Sequence, residues 1–109
     1  MRDMQERLRD ILEAIERIER HAVSGRRGFD ADELLQVWVI HHLQIIGEAC
    51  RSIPEETRES CPQVPWMRII GMRNILVHHY FGIDAELVWS AVESELPALK
   101  SAVLALLAE

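Results

Sequence analysis

The chain of 109 residues has a formal net charge of −6, and 49% of its residues are hydrophobic. This length predicts a single domain, residues 1–109, that is large enough to bury a core. The acidic balance excludes a protein that coats nucleic acid by general electrostatic attraction, so any contact with RNA must be local.

The composition also bears on fold and environment. Helix formers dominate the chain, which favours an all-α fold. A hydrophobic fraction of 49%, with only five Gly and four Pro, is high for a monomer of this size and favours a homo-oligomer. Cys50 and Cys61 do not form a CxxC pair, and no apolar leader follows Met1, so we expect neither a zinc site nor a disulfide framework. No apolar run approaches the roughly 20 residues that a membrane span needs. We therefore expect a cytoplasmic protein without membrane contact, metal ion or organic cofactor.

A first amphipathic helix is predicted over about residues 2–23. Its apolar positions recur at steps of four and three residues: Met4, Leu8, Ile11, Ile15, Ile18 and Ala22. The following Ser-Gly-Arg-Arg-Gly segment, residues 24–28, is predicted to be a loop. Arg26 and Arg27 in this loop either touch phosphate or belong to a plain surface turn.

The second predicted helix begins at Asp30 and runs to about Ser52. Asp30 and Glu33, three residues apart, form the pattern of a capping box. Apolar residues occupy almost every face of this helix, so it should be central and buried on several sides. A polar connection over residues 55–62 follows, with room for one short turn.

A third helix is predicted to begin at Pro65 and to continue from Trp66 to about His79, because proline suits the first helical position. Gly71 within it suggests close approach by another backbone or by a ligand. Asp84 should cap a fourth helix, which Pro97 should kink or split. The economical architecture is an antiparallel bundle of four, or up to five, helices.

Polar side chains at apolar positions mark a candidate site. Arg73 lies on an apolar arc of the third helix, where a guanidinium costs stability unless a carboxylate or phosphate meets it. On the second helix His41, Gln44 and Glu48 share one stripe, and Glu48 is the candidate carboxylate for Arg73. His41 and its neighbour His42 either support the site indirectly or are polar groups of the core.

The end of the third helix carries further groups that suit acid–base chemistry. Asn74 and His78 are four residues apart and share a face, and Arg73 can line the same cleft. The helix dipole favours a protonated imidazole in the last turn, so His78 or His79 could carry charge near neutral pH. Metal-independent RNA cleavage needs such groups: an imidazole takes the proton of the ribose 2′-OH, a guanidinium stabilises the phosphorane, and a second copy supplies the acid. A satisfied core histidine with a structural ion pair is the alternative explanation.

The pattern Arg73, four residues, His78, one residue, Tyr80 resembles the Arg-x4-His-x-Tyr signature of HepT-like toxins in the HEPN superfamily. The resemblance covers the chain from about residue 30 to its end. It extends, in order, to Ile45-Ile46-Gly47-Glu48-Ala49, Val64-Pro65-Trp66, Ile69-Ile70-Gly71-Met72-Arg73-Asn74, Val77-His78, Tyr80-Phe81-Gly82-Ile83-Asp84 and Val88-Trp89.

This resemblance implies a homodimeric HEPN-like bundle in which two Arg-x4-His motifs face a shared cleft. Arg73 and His78 would be catalytic, with Asn74, Glu48 and His79 supporting them, in a toxin that cleaves tRNA or mRNA to 2′,3′-cyclic phosphate ends. The family's usual partner is an MntA-type minimal nucleotidyltransferase antitoxin, which would adenylylate Tyr80. The added bulk and negative charge would block the place where RNA phosphate must lie.

Two other functions compete with this one. In the first, the protein is a non-catalytic helical partner that regulates a minimal nucleotidyltransferase, and its cleft binds ATP or phosphate. In the second it is a purely structural dimer domain, which leaves Arg73 and the crowded His78-His79-Tyr80 end without an explanation.

Overall fold

The computed structural model describes residues 3–78 and 84–109, without the side chains of residues 77 and 78. Within these ranges every regular element is helical. The α-helices are α1 (Met4–His21), α2 (Gly25–Ala31), α3 (Glu33–Arg51), α4 (Glu55–Glu59), α5 (Trp66–His78), α6 (Ala85–Ser90) and α7 (Leu96–Ala108), and a π-helical turn (Ala91–Glu95) joins α6 to α7. The predicted all-α, HEPN-like bundle is confirmed. None of the helices in these ranges has both the length and the apolar character required to cross a membrane.

Helix α3 is the centre of the bundle, because it packs against both α1 and α5, while α1 also packs against α7. Helices α1 and α3 are antiparallel: the Trp38 indole N–H near the start of α3 donates to the Arg17 carbonyl oxygen near the end of α1, at 3.0 Å. The core is made of apolar side chains that are almost fully buried. They include Leu8, Ile11, Ile15, Ile18, Phe29, Val39, Ile46, Ile53, Leu76, Val88, Leu99 and Val103.

Aspartate side chains cap the starts of α1 and α6. The Asp3 carboxylate accepts from the Glu6 N–H at 2.8 Å, and the Asp84 carboxylate accepts from the N–H groups of Glu86 and Leu87 at 2.9 and 3.3 Å. The predicted cap at Asp84 is therefore confirmed. Each of these bonds satisfies backbone donors that have no partner inside the helix.

The predicted loop over residues 24–28 and the predicted cap at Asp30 are both wrong. Gly25, with a φ of +73°, reverses the chain after α1 and begins α2. Arg26 Nε pairs with both carboxylate oxygens of Asp30 at 2.9 Å, and the Phe29 ring is buried, which together stabilise this short helix. The cap of α3 is Asp32, whose carboxylate accepts from the Leu35 N–H at 3.1 Å.

The predicted interruption at Pro97 is confirmed, and it takes the form of the π-helical turn. Proline lacks the N–H that would bond one turn back, and its ring clashes with the carbonyl there, so the preceding turn widens. This turn holds Glu95 in the core at 5% exposure, with Arg68 Nη1 3.6 Å from its Oε1 atom. The Glu95 Oε2 atom has no hydrogen-bond partner among the described residues. Burial raises the pKa of Glu95, against the opposing effect of Arg68.

Helix α3 is buried toward α1 and α5, as predicted, but it keeps one open face. Three large apolar side chains lie on that face: Leu34, Val37 and Ile45, at 82%, 60% and 36% exposure. We call these three residues the α3 stripe. The predicted burial on several sides is therefore confirmed, and the α3 stripe marks the side that stays open.

Candidate functional site

Arg73 is held where α5 crosses α3, and its partner is the one predicted. Its Nε atom lies 3.4 Å from Glu48 Oε2. The Arg73 side chain is 33% exposed and that of Glu48 is 52% exposed, so the pair lies at the surface and not in the apolar interior. An ion pair this open to water contributes about 1 kcal/mol or less to stability. Its main effect is to orient the guanidinium at the protein surface.

Asn74 supports the same guanidinium from its own helix. Arg73 Nη1 donates to Asn74 Oδ1 at 3.4 Å, and Asn74 is exposed. The guanidinium is thus oriented through Nε by α3 and through Nη1 by α5. A cation oriented in this way, and still reachable from solvent, can meet a phosphate group.

Gly47 allows α3 and α5 to come this close. A Cβ atom at Gly47 would lie 2.6 Å from Arg73 Cβ and 3.3 Å from the Ile69 carbonyl oxygen. At Gly71, where the sequence suggested a close approach, no atom of the described residues lies within 4 Å of the equivalent position. The close contact with another backbone is therefore on α3 and not at Gly71. The sequence carries a signal for it, because Gly47 is the only residue without a side chain in a helix of large apolar residues.

Arg73 opens into a cleft of about 300 Å³ between α1, α3 and α5. Its walls are formed by Arg7, Asp10, His41, Gln44, Ile45, Glu48, Ala49 and Arg73. The predicted stripe of His41, Gln44 and Glu48 therefore forms one wall of the site. Arg7 was missed by sequence reasoning, because the charges of α1 look like an ordinary solvated face.

His42 has a structural role, unlike its neighbour. It is 3% exposed, its Nδ1 atom lies 2.8 Å from the Trp38 carbonyl oxygen, and its ring centroid is 4.3 Å from that of Trp38. Burial lowers the pKa of His42, so its neutral form is favoured. Of the two alternatives left open for the α3 histidines, His42 is a core group and His41 lies at the cleft.

The remaining predicted residues follow Arg73 along the chain. Helix α5 ends at His78, so Arg73 and His78 are carried by one helix. The His78 side chain, and all of His79 and Tyr80, lie outside the described residues. Within residues 3–78 and 84–109, no group of three or more His, Cys, Asp or Glu side chains is placed to hold a metal ion.

Comparison with known proteins identifies the family. The model of the family described as "Ribonuclease HepT-like" matches residues 11–106. The chain belongs to this family. A protein of Methanocaldococcus jannaschii named "Putative RNase MJ1380" is 43% identical to this HepT-like chain over 103 residues, which is 94% of each chain. "Probable ribonuclease HepT" of Thermococcus cleftensis is 39% identical over 100 residues, 91% of each chain. No solved structure gives a significant match.

Proposed function

We propose that this HepT-like protein is the toxin of a toxin–antitoxin system and acts in the cytoplasm as a metal-independent endoribonuclease. The observation that carries the proposal is the solvent-accessible Arg73, oriented by Glu48 and Asn74 on the helix that also bears His78. Relatives of nearly the same length that carry ribonuclease names support the same activity.

The reaction is an attack by the ribose 2′-OH on the adjacent phosphate. The His78 imidazole takes the 2′-OH proton as the O2′–P bond forms, and Arg73 stabilises the charge of the phosphorane. The P–O5′ bond then breaks, and the O5′ atom receives a proton from an acid. The products are a 2′,3′-cyclic phosphate and a 5′-OH end, and no water is consumed in this step.

A second copy of the chain is the proposed source of that acid. The α3 stripe is an apolar surface next to the cleft, and Ile45 belongs to both. A symmetry mate placed over the Leu34 and Val37 end of this face would bury both side chains, leave the cleft beside Ile45 open to RNA, and bring two Arg-x4-His motifs to one groove. The proposed homodimer therefore explains why an apolar face is exposed, and it also supplies a second catalytic imidazole.

Regulation is proposed at Tyr80, two residues beyond His78 in the sequence. A minimal nucleotidyltransferase antitoxin would join the tyrosine oxygen to the α-phosphorus of ATP. The bond from this phosphorus to the β-phosphate oxygen breaks, pyrophosphate leaves, and the phenol proton passes to solvent. The AMP group would bring a negative charge and considerable bulk next to the catalytic imidazole, so RNA phosphate could no longer bind there. Intact mass after co-expression with the antitoxin should show AMP-sized additions that are lost in Tyr80→Phe.

The activity is tested by incubating purified protein with tRNA or mRNA in the presence of EDTA. Cleavage should occur in the wild type and in His21→Ala, and should be lost in His78→Ala. His21 is the matched control, because it is an exposed histidine of α1 that does not line the cleft. Cleavage that survives His78→Ala removes this residue from its assigned role. Absence of cleavage in the wild type, together with binding to the nucleotidyltransferase, would instead favour a non-catalytic regulator.

A further inference from the structure

The cleft beside Arg73 contains polar groups that the cleavage reaction itself does not use. Arg7 comes from α1, and His41 and Gln44 come from α3. Gln44 is half-buried, and its side-chain amide makes no hydrogen bond to any described residue. The polar atoms of this amide still reach solvent, so it can pair with a ligand that enters the cleft.

The chemistry of these walls suits one unpaired nucleobase. The Gln44 amide offers a donor and an acceptor side by side, which is the pattern that pairs with the N7 acceptor and the N6 amino donor of adenine. The exposed His41 imidazole offers a ring face on which a base can stack. Ile45 and Ala49 add apolar surface to the same cleft.

The dimensions favour a single nucleotide over a duplex. The volume of about 300 Å³ is at the lower limit of small-molecule sites. Double-stranded RNA hides its base edges in a deep, narrow groove, whereas bases of single strands can turn outward into a pocket. Arg7, on the α1 wall, can meet a flanking phosphate without reading sequence.

We propose that this cleft is a specificity subsite that takes one unpaired adenine of the RNA substrate next to the bond that is cleaved. Gln44 reads the adenine edge, His41 stacks on its ring, and Arg7 holds the neighbouring phosphate. This inference rests on the proposed ribonuclease function, since it assumes that Arg73 faces the scissile phosphate.

The test measures binding separately from cleavage. The probes are four 2′-fluoro RNA heptamers, which cannot be cleaved because the attacking 2′-OH is absent. One consists of seven uridines, and the other three have a central adenine, guanine or cytosine with three uridines on each side. Their affinities are measured by fluorescence anisotropy for wild type, Gln44→Ala, Arg7→Ala and Gln63→Ala. Gln63 is an exposed glutamine that does not line the cleft, so Gln63→Ala is the matched control.

The wild type and Gln63→Ala should bind the adenine heptamer about tenfold or more tightly than the other three, in line with a bidentate amide–adenine pair. Gln44→Ala should lose this preference while keeping its affinity for the all-uridine heptamer. Arg7→Ala should weaken all four heptamers equally. Equal affinities in the wild type, or an adenine preference that persists in Gln44→Ala, would overturn the subsite. An adenine preference that depends on Gln44, in a protein that cleaves no natural RNA, would keep the subsite and reject the nuclease.

Discussion

Replacing Gly47 by alanine would place a methyl group 2.6 Å from Arg73 Cβ and 3.3 Å from the Ile69 carbonyl oxygen. Carbon atoms at their best separation are about 3.5–4.0 Å apart, so the two helices would have to part by about 1 Å. Both opposing atoms are fixed to the backbone of α5, and rotation of a flexible side chain cannot relieve the contact. The substitution should therefore displace Arg73 from its place beside Glu48.

The cost can be estimated from two opposing effects. Overpacking of this kind costs about 3 kcal/mol at the upper end of its usual range. Alanine is better than glycine inside a helix by about 1 kcal/mol, which offsets part of that cost. The net loss of about 2 kcal/mol corresponds to a fall in Tm on the order of 10 °C for a domain of this size. A 1 Å misplacement of a catalytic group can reduce the cleavage rate by about 100-fold.

Gly71→Ala is the matched control, because the space at that position is open. Gly71→Ala should increase the free energy of unfolding by about 1 kcal/mol, because alanine has the higher helix propensity, and should raise the Tm. Thermal unfolding followed by circular dichroism and RNA cleavage measured below both Tm values would compare the two variants. If Gly47→Ala were as stable as Gly71→Ala and cleaved RNA at the wild-type rate, the close helix contact could not be what positions Arg73.

Three further substitutions test separate parts of the structure. Glu95→Gln should raise the Tm by a few degrees at pH 7. Because the pKa of Glu95 is raised in the folded state, its ionised form costs stability above about pH 4.3, so the gain in Tm should shrink toward pH 4. A gain in Tm that does not change with pH would contradict this. Wild-type protein should sediment as the proposed dimer, and Val37→Glu on the α3 stripe should sediment as a folded monomer. Leu104→Glu, at an exposed apolar position on α7, should leave the dimer intact, and dissociation by Leu104→Glu alone would place the interface elsewhere. Asp32→Ala should lower the free energy of unfolding by about 1 kcal/mol through loss of the α3 cap, and an equal or larger loss in Asp30→Ala would show that the cap is misassigned.

The sequence predicts the long helices well because their signals are local and repeated. Apolar periodicity predicts α1, and a long apolar run predicts α3. Asp84 and Pro97 act through backbone donors that are capped or missing within one turn. The Glu48–Arg73 pair was also predictable, since each charge interrupts an apolar surface and needs the other. In both cases the residues that cause the structure can be read from the spacing of apolar and charged residues in the sequence.

The wrong predictions concern segments whose structure depends on contacts between residues that are not visible in the local sequence pattern. Two glycines close to Arg26 suggested a loop, but burial of Phe29 and the Arg26–Asp30 pair stabilise a helix there. The sequence shows that a helix contains a glycine but not which group lies opposite it. The close contact was therefore predicted at Gly71, whereas the structure has it at Gly47. The exposed α3 stripe could not be separated from the buried faces, because apolar residues look alike in sequence.

The end groups of digested RNA test the central claim most directly. Wild-type protein, Arg73→Ala and Arg68→Ala are incubated with RNA and EDTA, and the new 3′ ends are identified by mass spectrometry. Arg68 is the control, since it lies on the same helix and pairs with Glu95 outside the cleft. We predict 2′,3′-cyclic phosphate ends from the wild type and Arg68→Ala, and a loss of about 100-fold or more in Arg73→Ala, as found when one donor to a developing charge is removed. Undiminished cleavage by Arg73→Ala, or cleavage that requires added metal and leaves linear phosphate ends, would contradict the proposed mechanism.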